Sequence, residues 1–177
     1  MSENLDIFHT LAEVSVAVTG FSSLIIIFRG SSKPWHAFDY VHFGFVLAWS
    51  IGCIFLSLLP VLLVQFGIAL QLASQVGLIT TVVYIILVGG TLTRVQQTIS
   101  RQDDTRLARV PRLIMTVLVV SNITMAILAA AQLVPGPIHA WLATAVIALL
   151  IIATADLGLF VVQSTREQTA SQSEHGT

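Results

Sequence analysis

Residues 9–30 read HTLAEVSVAVTGFSSLIIIFRG. The stretch is long and apolar enough to cross a bilayer, which takes about 20 residues, yet Glu13 lies inside it, four residues after His9. Backbone polar groups in lipid must be satisfied within the segment, so a crossing segment of this kind is a helix. The stretch therefore predicts a membrane-crossing α-helix that carries a carboxylate where water is scarce.

The rest of the chain has the composition of a membrane protein. Of its 177 residues, 55% are hydrophobic and 10% are charged, whereas a soluble domain carries about 25% charged residues. The mean hydropathy is +0.89, and a soluble fold of this length cannot bury so much apolar surface. The single cysteine, Cys53, excludes an intramolecular disulfide framework. We therefore expect the lipid bilayer to be the solvent of this chain.

Five apolar segments predict an all-α, polytopic transmembrane bundle, because none of them shows the strict alternation of a barrel strand. They lie near residues 6–28, 38–66, 75–95, 113–134 and 138–163. We take residues 1–163 as a single transmembrane domain. The polar residues 164–177 are expected to form a disordered cytoplasmic tail.

The positions of the basic residues predict the orientation. The eight are Arg29, Lys33, Arg94, Arg101, Arg106, Arg109, Arg112 and Arg166. With five spans and the N-terminus outside, all of them face the cytoplasm, as the positive-inside rule requires. Four spans with the first segment on the membrane surface would leave SLIIIF, residues 23–28, without a burial partner. We therefore expect an N-out/C-in topology.

The first span has a polar stripe along one side. At 100° per residue, a sector about 80° wide holds Asp6, His9, Glu13, Val16, Gly20 and Ile27. Glu13 lies about 10 Å below the start of the span at 1.5 Å per residue. A charge at the centre of a span costs at least about 2.5 kcal/mol on insertion scales, so this side chain needs a cavity, a partner or a pore.

Three interpretations of Glu13 are open. It is a structural carboxylate bonded to His9, Gln132 or His139, or it belongs to an acidic ring that selects cations where copies of the first span surround an axis. In the third, His9, Glu13 and His139 form a metal or proton site. Our leading interpretation makes Glu13, His9, Asp6 and Gly20 the pore or ion-binding candidates.

A second polar group is predicted at the inner end of the bundle. Asp156, Asp39, His42 and Arg94 fall at similar depth in this topology. A buried Asp156 needs a cation, and Arg94 or Arg112 is the expected partner. The pair then either fixes helix packing or acts as a gate.

Three further features bear on helix packing within the spans. Asn122 lies near the middle of the fourth span, where an amide is expected to hydrogen-bond to a neighbouring helix rather than line a pore. Pro60 lacks a backbone donor, and residues 89–90 are a glycine pair, so both positions mark bends.

Motifs of other protein classes are absent from the sequence. It contains no glycine-rich phosphate loop, CxxC, HExxH or nucleophile elbow. No nucleic-acid-binding motif is present, and few basic residues are exposed. We therefore expect no enzymatic activity, no cofactor, no dedicated metal site and no nucleic-acid partner.

The first 65 residues carry a recognisable pattern: AEVSVAVTGFSSLIIIFRG, then Trp35 and Asp39, then SLLPVLL. The pattern resembles a group of small uncharacterised bacterial membrane proteins with an AE…GF first span and an LLP end to the second. The resemblance implies a multi-pass protein of the bacterial inner membrane and implies no activity.

These observations favour a homo-oligomeric, cation-preferring ion channel with the first span nearest the pore, acting on inorganic ions. A homo-oligomer is expected because five short helices make a thin wall for a pathway through a single copy. The alternative is a non-catalytic accessory or scaffold subunit of a larger membrane complex. A membrane-embedded metal or redox enzyme is the weakest hypothesis, because the sequence offers too few ligands.

Overall fold

The computed structural model describes residues 3–30, 37–91, 94 and 109–174, with side chains described in 5–25, 43–91, 94, 116–158 and 161. Five helices make up this part of the chain, and it contains no β-strand. The helices are α1 (Glu3–Gly30), α2 (Ala37–Gln65), α3 (Leu70–Tyr84), α4 (Arg109–Ala130) and α5 (Ile138–Glu174). A π-helical segment, Ile85–Gly89, continues α3. The all-α prediction is confirmed.

Four of the five helices are long and apolar enough to cross a membrane. Their apolar stretches are Leu5–Ile25, Phe43–Gln65, Leu70–Gly89 and Ile138–Gly158. In α4, the described apolar stretch, Thr116–Ala130, is shorter than a span. The chain is thus a multi-pass helical protein by length and composition, and its fifth span stays a prediction.

Helices α2 and α5 form the centre of the bundle. α2 packs against α1, α3 and α5, and α5 packs against all four other helices. The largest fully buried side chains come from every helix except α4 and include Phe8, Leu56, Leu78, Ile85, Leu142 and Leu149. Helix α1 lies at the periphery, so one of its faces belongs to the core and the opposite face does not.

Two turns mark one end of the bundle, which we name the turn end: residues 66–69 between α2 and α3, and residues 131–137 between α4 and α5. Helix α1 also begins there. It is about 42 Å long at 1.5 Å per residue, whereas the connection from Gly30 to Ala37 reaches at most about 25 Å. Helices α1 and α2 must therefore run antiparallel.

Two helix boundaries differ most from the sequence-based prediction. Helix α3 begins at Leu70 rather than near residue 75, because Gly67 (φ +86°) reverses the chain within four residues. Helix α5 continues to Glu174, where we expected a disordered tail from residue 164. Extending a formed helix adds one hydrogen bond per residue without a new nucleus, so a polar sequence can remain helical beyond the membrane.

Candidate functional site

One face of α1 is packed into the bundle. Phe8, Leu11, Ser15 and Ser22 are buried on it. The Ser15 hydroxyl donates to the Leu11 carbonyl oxygen at 2.7 Å, and the Ser22 hydroxyl donates to that of Val18 at 2.7 Å. Small side chains with internally bonded hydroxyls let α1 approach α2 closely. The two serines of this face therefore serve helix packing.

The opposite side of α1 carries the predicted ion-binding residues. Asp6, His9, Glu13 and Gly20, which we name the α1 stripe, are all exposed. A Cβ atom built on Gly20 would meet nothing within 4 Å. The structure thus brings the four candidates together on one face, and no other described helix covers that face.

The exposed half of α1 is divided into two sides of different polarity. At 100° per residue, the α1 stripe spans about 60°, and the exposed side chains of Ile7, Val14 and Phe21 lie about 100° further round the helix. The second side is suited to lipid tails. The first carries, near the start of the helix, two carboxyl groups and an imidazole, which lipid tails cannot solvate. Further along the same side the exposed side chains of Val16 and Leu24 are apolar.

The structural interpretation of Glu13 finds no support within a single copy of the chain. Among the described side chains, no hydrogen bond or ion pair joins Glu13 to His9, Gln132 or His139. The described residues also contain no group of three His, Cys, Asp or Glu side chains able to hold a metal.

Gln132 and His139 instead line a cavity of about 480 Å³ at the turn end. Gln71 lines it as well, and sequence reasoning missed this residue because only the fold brings the start of α3 beside the turn from α4 to α5. The other lining residues are Leu70, Val134, Gly136, Pro137 and Ile138. The cavity has no acidic side chain in its lining and is separate from the α1 stripe.

Gln132 also ends α4 in an unusual conformation. Its φ is +58°, its N–H donates to the Ala129 carbonyl at 3.0 Å, and the Leu133 N–H donates to that of Leu128 at 2.9 Å. This is the Schellman pattern, in which glycine is the usual left-handed residue. Gly67 holds the corresponding place after α2. Gln132 therefore closes α4 four residues before the predicted end of the fourth span.

The inner polar group is described only in part. Asp156 is buried at 8% exposure on α5, and Arg94 is exposed. Asp39 and His42 lie on α2, but their side chains, like that of Arg112, lie outside the described residues. The pairing of Asp156 with Arg94 or Arg112 remains a prediction.

Asn122 is buried on α4, and its Nδ2 donates to the Ala145 carbonyl oxygen of α5 at 3.1 Å. The interhelical hydrogen bond expected from the sequence is confirmed. Since this amide is used to join α4 to α5, we do not count Asn122 among the pore candidates.

The glycine pair lies at an irregular part of α3. The π-helical segment Ile85–Gly89 follows Tyr84, whose hydroxyl donates to the Ala48 carbonyl oxygen of α2. The Tyr84 ring packs edge-on against Trp49, with ring centroids 6.1 Å apart. Such segments disturb the regular helix ladder, so the bend predicted at residues 89–90 coincides with a real irregularity.

Comparison of the chain with protein-family models, curated proteins and solved structures found no match. The class of protein therefore follows from the fold alone: an all-helical, multi-pass membrane protein with a charged stripe on its outermost helix.

Proposed function

We propose that this protein is a homo-oligomeric, cation-preferring ion channel of the bacterial inner membrane, in which α1 of each copy faces a central axis. The observation that carries the proposal is the exposure of Glu13 on a face of α1 that no described helix of the protomer covers. A carboxylate within a span must face water or a partner. Copies of α1 around an axis supply both.

The polarity of α1 supports this arrangement. The packed face of α1 contacts α2, and the apolar side formed by Ile7, Val14 and Phe21 is suited to lipid. The α1 stripe is then the side that remains to face the axis. Gly20 permits close approach of neighbouring helices, because small residues let helix backbones come together in membranes. The axis would then be narrow near Gly20 and acidic near Glu13.

The chemistry of the α1 stripe favours cations. A ring of Glu13 carboxylates attracts positive ions and repels anions, as acidic rings do in cation channels. Several carboxylate oxygens around one axis also suit a hard, doubly charged ion. We therefore expect divalent cations to bind at the ring and to block monovalent current.

A second candidate is an accessory or scaffold subunit of a larger membrane complex. The open space at Gly20 favours it, because a helix of a different protein would fit that face as well as a second copy would. In that case Glu13 bonds to the partner helix and the protein conducts no ions. Neither candidate includes a catalytic step.

The proposal includes an orientation with the N-terminus outside and the C-terminus in the cytoplasm, which places the turn end outside. In whole spheroplasts, an impermeant thiol reagent should label a Ser2→Cys variant and not a Ser171→Cys variant. The native Cys53 is buried and should not react. Labelling at both termini would mean an even number of spans and would place the α1 stripe at the wrong depth.

Ion flux through purified protein in liposomes tests the channel directly. Wild type should conduct monovalent cations and be blocked by divalent cations, and Glu13→Gln should weaken both cation preference and block while the oligomer stays intact. Val14→Ala, on the apolar side of α1, is the matched control and should behave as wild type. A silent wild-type protein, together with loss of assembly in Glu13→Gln, would favour the accessory subunit.

A further inference from the structure

Two serine hydroxyls on α2 are buried without a hydrogen-bond partner. They belong to Ser50 and Ser57, both 0% exposed, and no other described side chain has a buried polar atom in this state. The buried Ser74 on α3 behaves differently, since its hydroxyl donates to the Leu70 carbonyl oxygen at 2.8 Å. A dry, unpartnered hydroxyl is costly in the membrane interior, because no solvent is there to bond it.

The contacts of α2 show where its neighbours lie around it. The ring of Tyr84 on α3 occupies the space beside Gly52. Cys53 Sγ lies 3.8 Å from the Val146 carbonyl oxygen of α5. Ile51 is exposed and lies on the side that no described helix covers. α3, α5 and the exposed side therefore occupy three sectors of α2, and α1 packs on the fourth.

Ser50 and Ser57 lie in that fourth sector. At 100° per residue, they are about 20° apart, and Ser50 lies about 60° from Cys53 on the side away from Gly52. Both hydroxyls therefore lie between α5 and the exposed side. Because α1 packs against α2 and the other three sectors are assigned, this is the sector that remains for α1.

The packed face of α1 has matching groups. Ser15 and Ser22 are 0% exposed, and each has donated its proton to its own helix, so each hydroxyl oxygen can still accept a hydrogen bond. The spacing of seven residues is the same on both helices. Because α1 and α2 are antiparallel, moving seven residues forward on α1 corresponds to moving seven residues back on α2. If Ser15 lies opposite Ser57, Ser22 therefore lies opposite Ser50.

We propose that Ser50 and Ser57 bind water in the seam between α1 and α2, within the membrane. A water at each serine would accept the unused hydroxyl proton and donate to a serine oxygen of α1, which gives it the polar partners that a buried water needs. All four groups are neutral, so water suits the seam better than an ion does. This inference concerns the inside of one protomer and does not rest on the channel proposal.

Ser50→Ala and Ser57→Ala, measured as thermal unfolding in nanodiscs without added ligand, test the site. Loss of a bridging water should lower the unfolding midpoint by about 2–4 °C for each variant. Ser74→Ala is the matched control, because that serine is equally buried but bonds within its own helix. Its midpoint should change by less than about 1 °C.

Hydroxyl-radical labelling by X-ray radiolysis, which oxidises side chains beside bound water, supplies a second readout that does not depend on stability. Cys53, between the two serines in sequence, should be oxidised in wild type and protected in the Ser50→Ala, Ser57→Ala double variant. Phe66, exposed in a turn, should be labelled equally in both.

Unchanged or raised midpoints with an unlabelled Cys53 would overturn the proposal, since the hydroxyls would then be dry or bonded to their own helix. A midpoint that depends on Na⁺ or K⁺ in wild type, and not in the double variant, would also overturn it by making the occupant an ion.

Discussion

Asp156 and Glu13 both lie within apolar helices, and the fold treats them in opposite ways. Asp156, on the central helix α5, is buried at 8% exposure, whereas Glu13, on the peripheral helix α1, is exposed. Both carry the cost of a charged group placed in a span. The bundle can offset that cost for Asp156 from within one protomer, whereas the described part of the bundle offers no such compensation to Glu13.

The comparison separates an acid that stabilises the protomer from an acid that needs a partner outside the protomer. A buried acid is held by groups of its own chain, so its loss should appear in the stability of the protomer. An exposed acid in a span should leave the protomer unaffected and should change what happens between copies, or between the protein and its ions. Each prediction below tests one side of this division.

The largest expected effect is at Asp156. Asp156→Lys should lower the free energy of unfolding by about 3–5 kcal/mol, because it puts like charge beside the partner cation that we predict. Asp156→Leu should be tolerated better, since it buries no second charge. Chemical unfolding in detergent measures both.

Glu13→Leu is the control for the other side of the comparison. It should change the unfolding free energy of the protomer by less than about 0.5 kcal/mol, as exposed positions do. Unchanged unfolding in both Asp156 variants would show that Asp156 is solvated, and the division between the two acids would then fail.

Much of the fold was predictable because lipid imposes strong rules on a chain. Apolar stretches of sufficient length must become helices, and the starts predicted for α2 and α5 lie within one residue of those observed. The ends that the sequence missed depend on local backbone chemistry. Gly67 shortens the turn before α3, and Gln132 ends α4 in a conformation that glutamine adopts less readily than glycine.

The candidate site was predictable in part. Helical periodicity alone placed His9 and Glu13 on one face, because residues four apart are neighbours on a helix. It could not show that the face is exposed, since this depends on where α2 and α5 pack. The partnerless hydroxyls of Ser50 and Ser57 had no sequence signal at all, because serine is also the ordinary small residue of helix contacts.

An intermediate effect is expected from leucine substitutions on the two faces of α1. Ser22→Leu should cost about 1–3 kcal/mol of protomer stability, because it overfills a packed interface. Gly20→Leu meets open space in the protomer and should leave unfolding unchanged. It should instead reduce assembly, seen as a smaller mass in nanodiscs. Destabilisation by Gly20→Leu equal to that by Ser22→Leu would mean that both faces are packed.

The smallest effect is expected at His9, one turn from Glu13 on the same stripe. His9→Ala should change the cation flux through liposomes less than Glu13→Gln does, because the acidic ring is built from Glu13 and His9 only lies beside it. A flux identical in wild type and His9→Ala would exclude His9 from the pathway.

The central claim is that the α1 stripe faces other copies of the chain, and disulfide formation between copies tests it most directly. In a Cys53→Ala background, Glu13→Cys and Gly20→Cys should form covalent dimers under mild oxidation in membranes, because a disulfide needs Cα atoms within about 7 Å. Val14→Cys and Phe21→Cys, on the lipid side of the same helix, should remain monomeric. Dimers at Val14 and Phe21 alone, or at none of the four positions, would contradict the account.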